Sequence, residues 1–352
     1  MHATYTTKEQ LRATPYREQL HVPEHRVVRY HSSSGSTGNP TIMAYTQADL
    51  DLLGKLTARG FEPLYGRVSA WRVYNAFGYG LFTGGLSFEE AARYAREHLD
   101  IPMSVVPASN QPGVSFEAAI AQHRRSIELF KPTILCATPS MAFALWEEGL
   151  LEGFEAVITG SEPSSAALRE LLKGLGERMV VEVYGLSEII GPGVAQSCRE
   201  GGLHLNEDAF GVEFLEGELV LSTRHNEAMP RVRYRTGDAV TQVSCSCGNM
   251  HQAIEVHGRD EDFSAALGLY LSQLEDILLT HGYAPCFQVT DRVLSVEPLL
   301  GMLQRPLPAM PLEVRHVMPG THPRSLGKSS RMPHCTMVKG QKSGLKAVAG
   351  LA

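Results

Sequence analysis

TILCATPSMAFALWEEGLLEGFEAVITGSEPSSAALRELLKGLGERMVVEVYG, residues 133–185, sets the architecture of the chain. TILCAT (133–138), EAVITG (155–160) and MVVEVYG (179–185) are short apolar runs of strand length. A helical stretch opens near Pro139 and Ser140. SSAALRELLKGLG (164–176) has the spacing of an amphipathic helix, with Ser164 or Ser165 as its N-cap. Strand, helix, strand, helix, strand in this order predicts an α/β layer with parallel strands. Ligands of such sheets gather at the carboxyl ends of the strands.

Working outward, Ser87–Glu90 has the S-x-x-E form of a capping box and predicts the start of the helix SFEEAARYAREHL. Apolar VVRY (27–30) and TIMAY (41–45) flank HSSSGSTGNPT (31–41), which predicts a loop joining two strands. From about 203 to 258 short strands and turns replace the alternation, predicting a β-rich section. A boundary falls near 259–264, in the charged run RDEDF, and KGQKSGLKAVAGLA at the end reads as a mobile tail.

The composition is that of an ordinary soluble globular protein: 352 residues, 43% hydrophobic and 20% charged. A formal net charge of −6 argues against a general nucleic-acid binder. No signal peptide, lipidation motif or apolar run of membrane-spanning length is present, so no membrane partner is expected. Six cysteines without the dense spacing of a disulfide scaffold fit a reducing cytoplasm.

HSSSGSTGNPT sets hydroxyls (Ser32, Ser33, Ser34, Ser36, Thr37, Thr41) around Gly35 and Gly38. Glycines let backbone N–H groups turn toward a ligand and hydroxyls add donors without bulk, a pattern suited to phosphate oxygens. It has neither the Walker spacing nor that of a dinucleotide fold. Five further segments accompany it in order: NAFGYGLFTGGL (75–86), TGSEP (159–163), VYGLSEIIGPG (183–193), YRTGD (234–238) with HGRDEDF (257–263), and PRSLGKSSR (323–331). Together they resemble the adenylate-forming ligase superfamily, in its phenylacetate–CoA ligase branch, from about residue 5 to residue 331.

The resemblance implies a large N-terminal AMP-binding (adenylation) domain over 1–259, with parallel sheet layers and a β-rich subdomain. A small, shortened α+β C-terminal domain over 260–340 and a tail over 341–352 follow. It implies activation of an aromatic or arylacetic acid by ATP to an acyl-adenylate, then transfer to CoA. Ser33, Ser34, Gly35, Ser36, Thr37 and Gly38 would hold the β- and γ-phosphates. Related loops usually carry a lysine where this chain has Asn39, so triphosphate binding leans more on Mg²⁺. Glu188 is the implied Mg²⁺ ligand, since a hard cation takes carboxylate oxygen, and Ser187 would donate to the α-phosphate. Tyr184 offers its ring to the adenine, Glu162 and Pro163 match the adenine-side turn, and Asp238 with Arg259 would meet the ribose. Phe77 and Phe82, with Ser161, Gly191 and Pro192 as floor, match the aryl pocket. Lys328 matches the lysine that bridges the attacking carboxylate and the α-phosphate, favouring the transition state.

Cys198 and His204, with five residues between them, and the C-x-C pair Cys245 and Cys247 offer four soft or borderline ligands for a tetrahedral Zn²⁺. His251 and His257 compete as ligands, and independent buried thiols are the alternative. The chain also departs from the family. It opens close to the TTKEQLR-like segment (Tyr5–Arg12), without the helical N-terminal portion usual in the branch. The hairpin expected after HGRDEDF is altered to SAALGLYLSQLEDILL, and the span from Ser272 to Lys328 is shorter than expected. Because that hairpin lines the thiol's route in relatives, an amine, another nitrogen nucleophile or a carrier-protein thiol is the alternative acceptor, and a nucleotide-binding pseudoenzyme is a further one. A homodimer is the expected assembly.

Overall fold

A computed structural model describes residues 5–33, 40–109, 114–174, 178–290 and 292–322. Thr7 opens the helix α1 (Lys8–Ala13) through a capping box with Gln10, and Leu11 is buried beneath it. Strands β1 (Arg29–Ser32) and β2 (Ile42–Tyr45) pair antiparallel with Ser32 opposite Ile42, the hairpin that their flanking apolar runs predict. Helix α2 (Gln47–Ala58) follows from a Thr46 cap. Strand and helix then alternate: β3 (Arg72–Asn75), α3 (Thr83–His98), β4 (Ser104–Pro107), α4 (Phe116–Phe130), β5 (Ile134–Ala137), α5 (Pro139–Glu147), β6 (Ala156–Thr159), α6 (Ala166–Lys173) and β7 (Met179–Leu186). All five strands run parallel, in the order β4, β3, β5, β6, β7.

The helices between them form where the pattern places them, held by hydroxyl caps. Thr138 accepts from Met141 N at α5 and Ser165 from Leu168 N at α6. Leu168 and Leu172, one turn apart on α6, turn inward and are fully buried. Helix α3 departs from expectation, opening at Thr83 rather than at Ser87. Ser87 sits inside the helix, where its hydroxyl donates to Thr83 O at 2.5 Å instead of capping a free end. Packing overrides the low helix propensity of Gly84 and Gly85: Gly85 N donates to Gly78 O at 2.9 Å, and a Cβ at Gly85 would fall 2.8 Å from that oxygen.

The β-rich section is not a separate layer. β8 (Gly191–Ser197) turns back antiparallel on β7, and β9 (Leu203–Leu205), β10 (Phe210–Leu215), β11 (Glu218–Thr223), β12 (Tyr234–Val243) and β13 (Ala253–Arg259) complete one eleven-stranded mixed sheet. Its order is β10, β11, β12, β13, β9, β8, β7, β6, β5, β3, β4, so β7 belongs to both the parallel and the antiparallel halves. Leu50, Leu53 and Leu56 of α2 pack over the antiparallel half with Val194, Leu205, Leu219 and Leu221.

After Arg259 the chain leaves this sheet. β14 (Phe263–Ser264) and β15 (Leu269–Tyr270) form a two-stranded hairpin despite the altered sequence, with Gly268 at φ +68°. Helix α7 (Leu271–Thr280) and a three-stranded sheet of β16 (Tyr283–Val289), β17 (Val293–Pro298) and β18 (Glu313–His316) follow. Two acidic side chains of α7 dock on the N-terminal end of α6: Glu275 accepts from Ser165 N at 3.2 Å and Asp276 from Ala167 N at 2.8 Å. No helix among the described residues is long and apolar enough to cross a membrane.

The β7–β8 reversal tolerates no side chain at Gly185, where an added Cβ would lie 1.8 Å from Gly191 O and 2.8 Å from Pro192 Cα. Gly185→Ala is expected to destabilise the protein by about 3 kcal/mol or more, as overpacking against backbone does. Urea unfolding checks this, and a loss under about 1 kcal/mol would contradict the geometry.

Candidate active site

The carboxyl ends of β3, β5, β6 and β7 carry the segments NAFGYGLF, ATPS, TGSEP and GLSEII, so the motifs meet along one edge of the sheet. After β7 the backbone makes a short 3₁₀ turn over Ser187–Ile189. Ile190 (φ 84°) and Gly191 (φ 76°) are both left-handed, and β8 begins. This reversal drives the Glu188 side chain inward, leaving the residue 3% exposed. Glu188 Oε1 is buried, accepts no hydrogen bond among the described residues and faces Lys8 Nζ at 3.4 Å. Ser187 Oγ lies 3.0 Å from Thr83 Oγ1, joining the β7 turn to the loop after β3.

That loop is fastened from within. Asn75 Nδ2 donates to Tyr79 OH and to Gly85 O, each at 2.8 Å, and Tyr79 OH donates to Glu89 at 2.6 Å. Leu81 O accepts from Ser32 N at 2.8 Å and meets His31 Nδ1 at 3.2 Å. Across the base of the hydroxyl loop, Ser33 N donates to Thr41 O at 3.0 Å and Thr41 N to Ser33 Oγ at 2.9 Å. Ser32 and Ser33 therefore stand beside Leu81, two residues from Thr83. Ser34, Gly35, Ser36, Thr37 and Gly38 lie outside the described residues, as does Lys328.

From the antiparallel half, Asp238 on β12 is 6% exposed and opposite Arg259, the last residue of β13. Its carboxylate takes Tyr184 OH on one oxygen at 2.6 Å and Arg259 Nε on the other at 2.9 Å. Each oxygen keeps a second acceptor site, which a vicinal diol can use. Burial raises the Tyr184 hydroxyl pKa well above that of a free tyrosine, and Asp238 raises it further. Burial works to lower the Arg259 guanidinium, but Asp238, with Glu188 behind it, outweighs that and raises it. Arg259 thus pairs directly with Asp238 and also feels the charge of Glu188.

Glu162, after β6, reaches across to the N-terminus of α5, accepting from Ser140 N at 3.2 Å and Ser140 Oγ at 2.5 Å. Ser161 beside it is left-handed (φ 70°), which fixes the turn that Pro163 leaves. The proposed pocket residues divide. Phe77, 3% exposed, is a core side chain stacked on Phe88 at 5.1 Å, whereas Phe82 stands 46% exposed at the head of α3. Gly191 touches the α2–α3 interface: a Cβ there would meet Leu53 Cδ1 and Ser87 Oγ, each at 3.1 Å.

The structure brings the four Cys/His residues together. Ligand atoms of Cys198, His204, Cys245 and Cys247 lie within 4.8 Å of one another. Cys198 and Cys245 sulfurs are 3.6 Å apart and Cys247 Sγ is 3.2 Å from His204 Nε2. His204 Nδ1 lies 2.8 Å from His251 O, which can only accept, so Nε2 keeps its lone pair facing the thiols. His257 is engaged elsewhere, with Thr241 Oγ1 at 2.8 Å. The backbone of Cys247, then His204, draws the Cys245 thiol down to about 6, while burial and the neighbouring thiols push Cys198 up to about 11.

Residues given no functional role from sequence also touch the motif residues: Lys8, Thr83 and Ser140. Thr83 and Lys8 lay within quoted segments. The available signal at Lys8 was a cation at the first position of a capped helix, the wrong sign for the helix dipole.

No protein-family model matches the chain. It is 36% identical over 285 residues to the phenylacetate–coenzyme A ligase of Thermus thermophilus, covering 73% of this chain and 61% of that protein. The phenylacetate–coenzyme A ligase of Escherichia coli is 33% identical over 295 residues, with 77% and 64% covered. The chain spans under two thirds of the length of these relatives. Among solved structures, 2-hydroxyisobutyryl-CoA ligase in its postadenylation state, in complex with 2-HIB-AMP, superposes with a TM-score of 0.79 at 18% identity, over 94% of this chain and 79% of that one. The same ligase in its thioesterification state gives 0.64.

Asp238→Ala strips Arg259 of its counter-ion and Tyr184 of its acceptor. The expected loss of stability is about 2 kcal/mol, below that of a fully buried pair because the Arg259 side chain keeps 28% exposure. A thermal or urea midpoint indistinguishable from the parent's would contradict it.

Proposed function

From its homology to the phenylacetate–coenzyme A ligases, on the adenylate-forming fold, we propose that this chain activates an aromatic or arylacetic carboxylic acid with ATP and passes the acyl group to coenzyme A. The gathering of Ser187, Glu188, Thr83, Asp238 and Arg259 at one sheet edge supports this most directly. In the first step the acid's carboxylate oxygen bonds to the α-phosphorus and the bond to pyrophosphate breaks, giving an acyl-adenylate. In the second, a thiolate attacks the acyl carbon and AMP leaves.

Phosphoryl transfer asks a protein mainly for positioning and charge. Asp238, held by Tyr184 and Arg259, takes the ribose hydroxyls and so fixes the nucleotide's register along the cleft. Ser187 donates to the α-phosphate, with Thr83 orienting its hydroxyl. Glu162 and Pro163 border the adenine, and Tyr184 gives it an apolar face. Ser33 to Gly38 hold the terminal phosphates through N–H and O–H donors. Lys328 contributes the cation that meets charge developing on the attacked phosphate. The buried, hydrogen-bond-free oxygen of Glu188 suits Mg²⁺, which when bound offsets phosphate charge.

Phe82, Ser161, Gly191 and Pro192 line the acid's end of the cleft, with Phe77 stiffening the wall from behind through Phe88. The hairpin of β14 and β15 forms despite its altered sequence, which favours CoA over an amine, another nitrogen nucleophile or a carrier-protein thiol. The donor set of Cys198, His204, Cys245 and Cys247 fits a closed structural Zn²⁺ site. ATP, CoA and free thiols together point to the cytoplasm.

With a panel of aromatic acids, acid-dependent exchange of pyrophosphate into ATP is expected, and its absence in folded protein would reject the proposal. Lys328→Ala should lower that exchange by about 100-fold or more without changing the melting temperature. For the Cys–His cluster, metal analysis of protein purified without chelator should return about one zinc per chain. Cys245→Ser should lower both zinc content and melting temperature while leaving exchange at low temperature near the parent rate. Zinc-free parent protein of unchanged stability would dismiss the site.

A further inference from the structure

Groups able to donate hydrogen bonds lie around Glu188, yet among the described residues its buried Oε1 takes none. Arg231, Tyr45 and Tyr234 are buried and near enough to feel its charge. Even so, Arg231 Nε, Tyr45 OH, Tyr234 OH and Glu188 Oε1 have no hydrogen-bond partner among the described residues. Buried polar atoms left unpaired together are costly, and a group of them marks a place built for something else. Among the described residues the sole ion pair of Glu188 is with Lys8, whose Nζ stands 3.4 Å from Oε1 with the side chain 26% exposed.

Lys8 is not placed there by the needs of its helix. At the first position of α1 a cation opposes the helix dipole. The segment before it is laced to β12, the strand that carries Asp238. Thr6 N donates to Arg233 O at 3.1 Å, Arg235 N donates to Thr6 O at 2.9 Å, and the Tyr5 ring packs on the Arg233 guanidinium at 4.2 Å. This lacing holds the Lys8 backbone still and leaves only its long, partly exposed side chain free to redirect.

Lys8, at 3.4 Å, and Arg231, buried within electrostatic reach, thus set two cations against this carboxylate. That surplus of positive charge opposes a lone divalent cation at Glu188 and favours one that arrives with phosphate anions. Resting on the ATP-dependent reading given above, we propose that Lys8 is a positioning residue at the phosphate end of the cleft. It neutralises Glu188, gives up that oxygen when divalent cation and ATP bind together, and turns its ammonium to the phosphates. The cleft then discriminates against metal without nucleotide, and the side chain released by the metal becomes a contact for the nucleotide.

The test uses the full chain with Lys8→Met and Lys8→Arg, and Lys8→Gln should the first fail to fold. Mn²⁺ alone, followed by electron paramagnetic resonance, should bind the Met variant about tenfold more tightly than the parent. ATP in saturating Mn²⁺, followed by calorimetry, should bind it about tenfold more weakly, the scale of a partly buried charge contact, because in the parent the metal frees Lys8 for the phosphates. Lys8→Arg should return both affinities to within about threefold of the parent. If the neutral variant leaves either affinity within about twofold of the parent, the proposal fails, since one side chain must serve both partners. Neither binding arm depends on turnover. Parent protein that lacks acid-dependent exchange would therefore reject the ligase reading alone, while these titrations still decide the role of Lys8.

Discussion

The reversal between β7 and β8 is the constraint on which the cleft depends. A strand shared by parallel and antiparallel halves must turn back within a few residues. It does so only because Gly185 has no Cβ to meet Gly191 O and because Ile190 and Gly191 adopt positive φ. A left-handed β-branched residue is energetically unfavourable, and Ile190, fully buried in the core, is held there by packing. What the turn achieves is direction. Ser187 faces Thr83, while Glu188 is pushed inward toward Lys8. A looser turn would leave that carboxylate in solvent, where it would be neither dehydrated nor fixed.

Charge at the cleft runs against the charge of the chain. The protein carries a formal −6, yet Glu188 and Asp238 are answered locally by Lys8, Arg231 and Arg259. Three cations against two carboxylates leave a modest positive balance in a poorly hydrated place, where it acts far more strongly than on the surface. Such a balance suits a polyanion accompanied by a metal ion better than either alone. Asp238 is paired with Arg259 across β12 and β13, since a buried carboxylate without a partner would be costly.

Much of this was legible in the sequence, for reasons that can be named. β5, β6 and β7 are apolar runs bounded by glycine, proline and hydroxyl residues, and α6 shows its cap and its inward leucines, so local pattern and final structure agree. Asp238 and Glu188 are legible through the resemblance of RTGD and YGLSE to the motifs of the adenylate-forming ligases. Three things were not legible. The start of α3 is set by Gly85 packing on Gly78, a tertiary contact with no local sign, and the S-x-x-E at Ser87 imitates a cap within a helix. Phe77 and Phe82 look alike in sequence but differ in burial because one stacks on Phe88 and the other heads α3. Lys8 meets Glu188 across 180 positions of chain through the pairing of Thr6 with Tyr234, which pattern reading cannot anticipate.

Strand direction separates the Cys–His cluster from the chemistry. Cys198 follows the far end of β8, whose near end is Gly191, and Cys245 and Cys247 lie in the connection between β12 and β13, at the opposite end of that pair from Arg259. At about 3.3 Å per residue the length of β8 alone sets the cluster roughly 20 Å from Glu188, beyond any direct role in bond making. Its position does bear on the cleft indirectly. β9 pairs with β8 on one side and β13 on the other, and His204, in β9, joins thiols that follow β8 and β12. A closed site there would pin the strands carrying Gly191 and Arg259 in register at one end, so that Glu188 and Asp238 keep their spacing at the other.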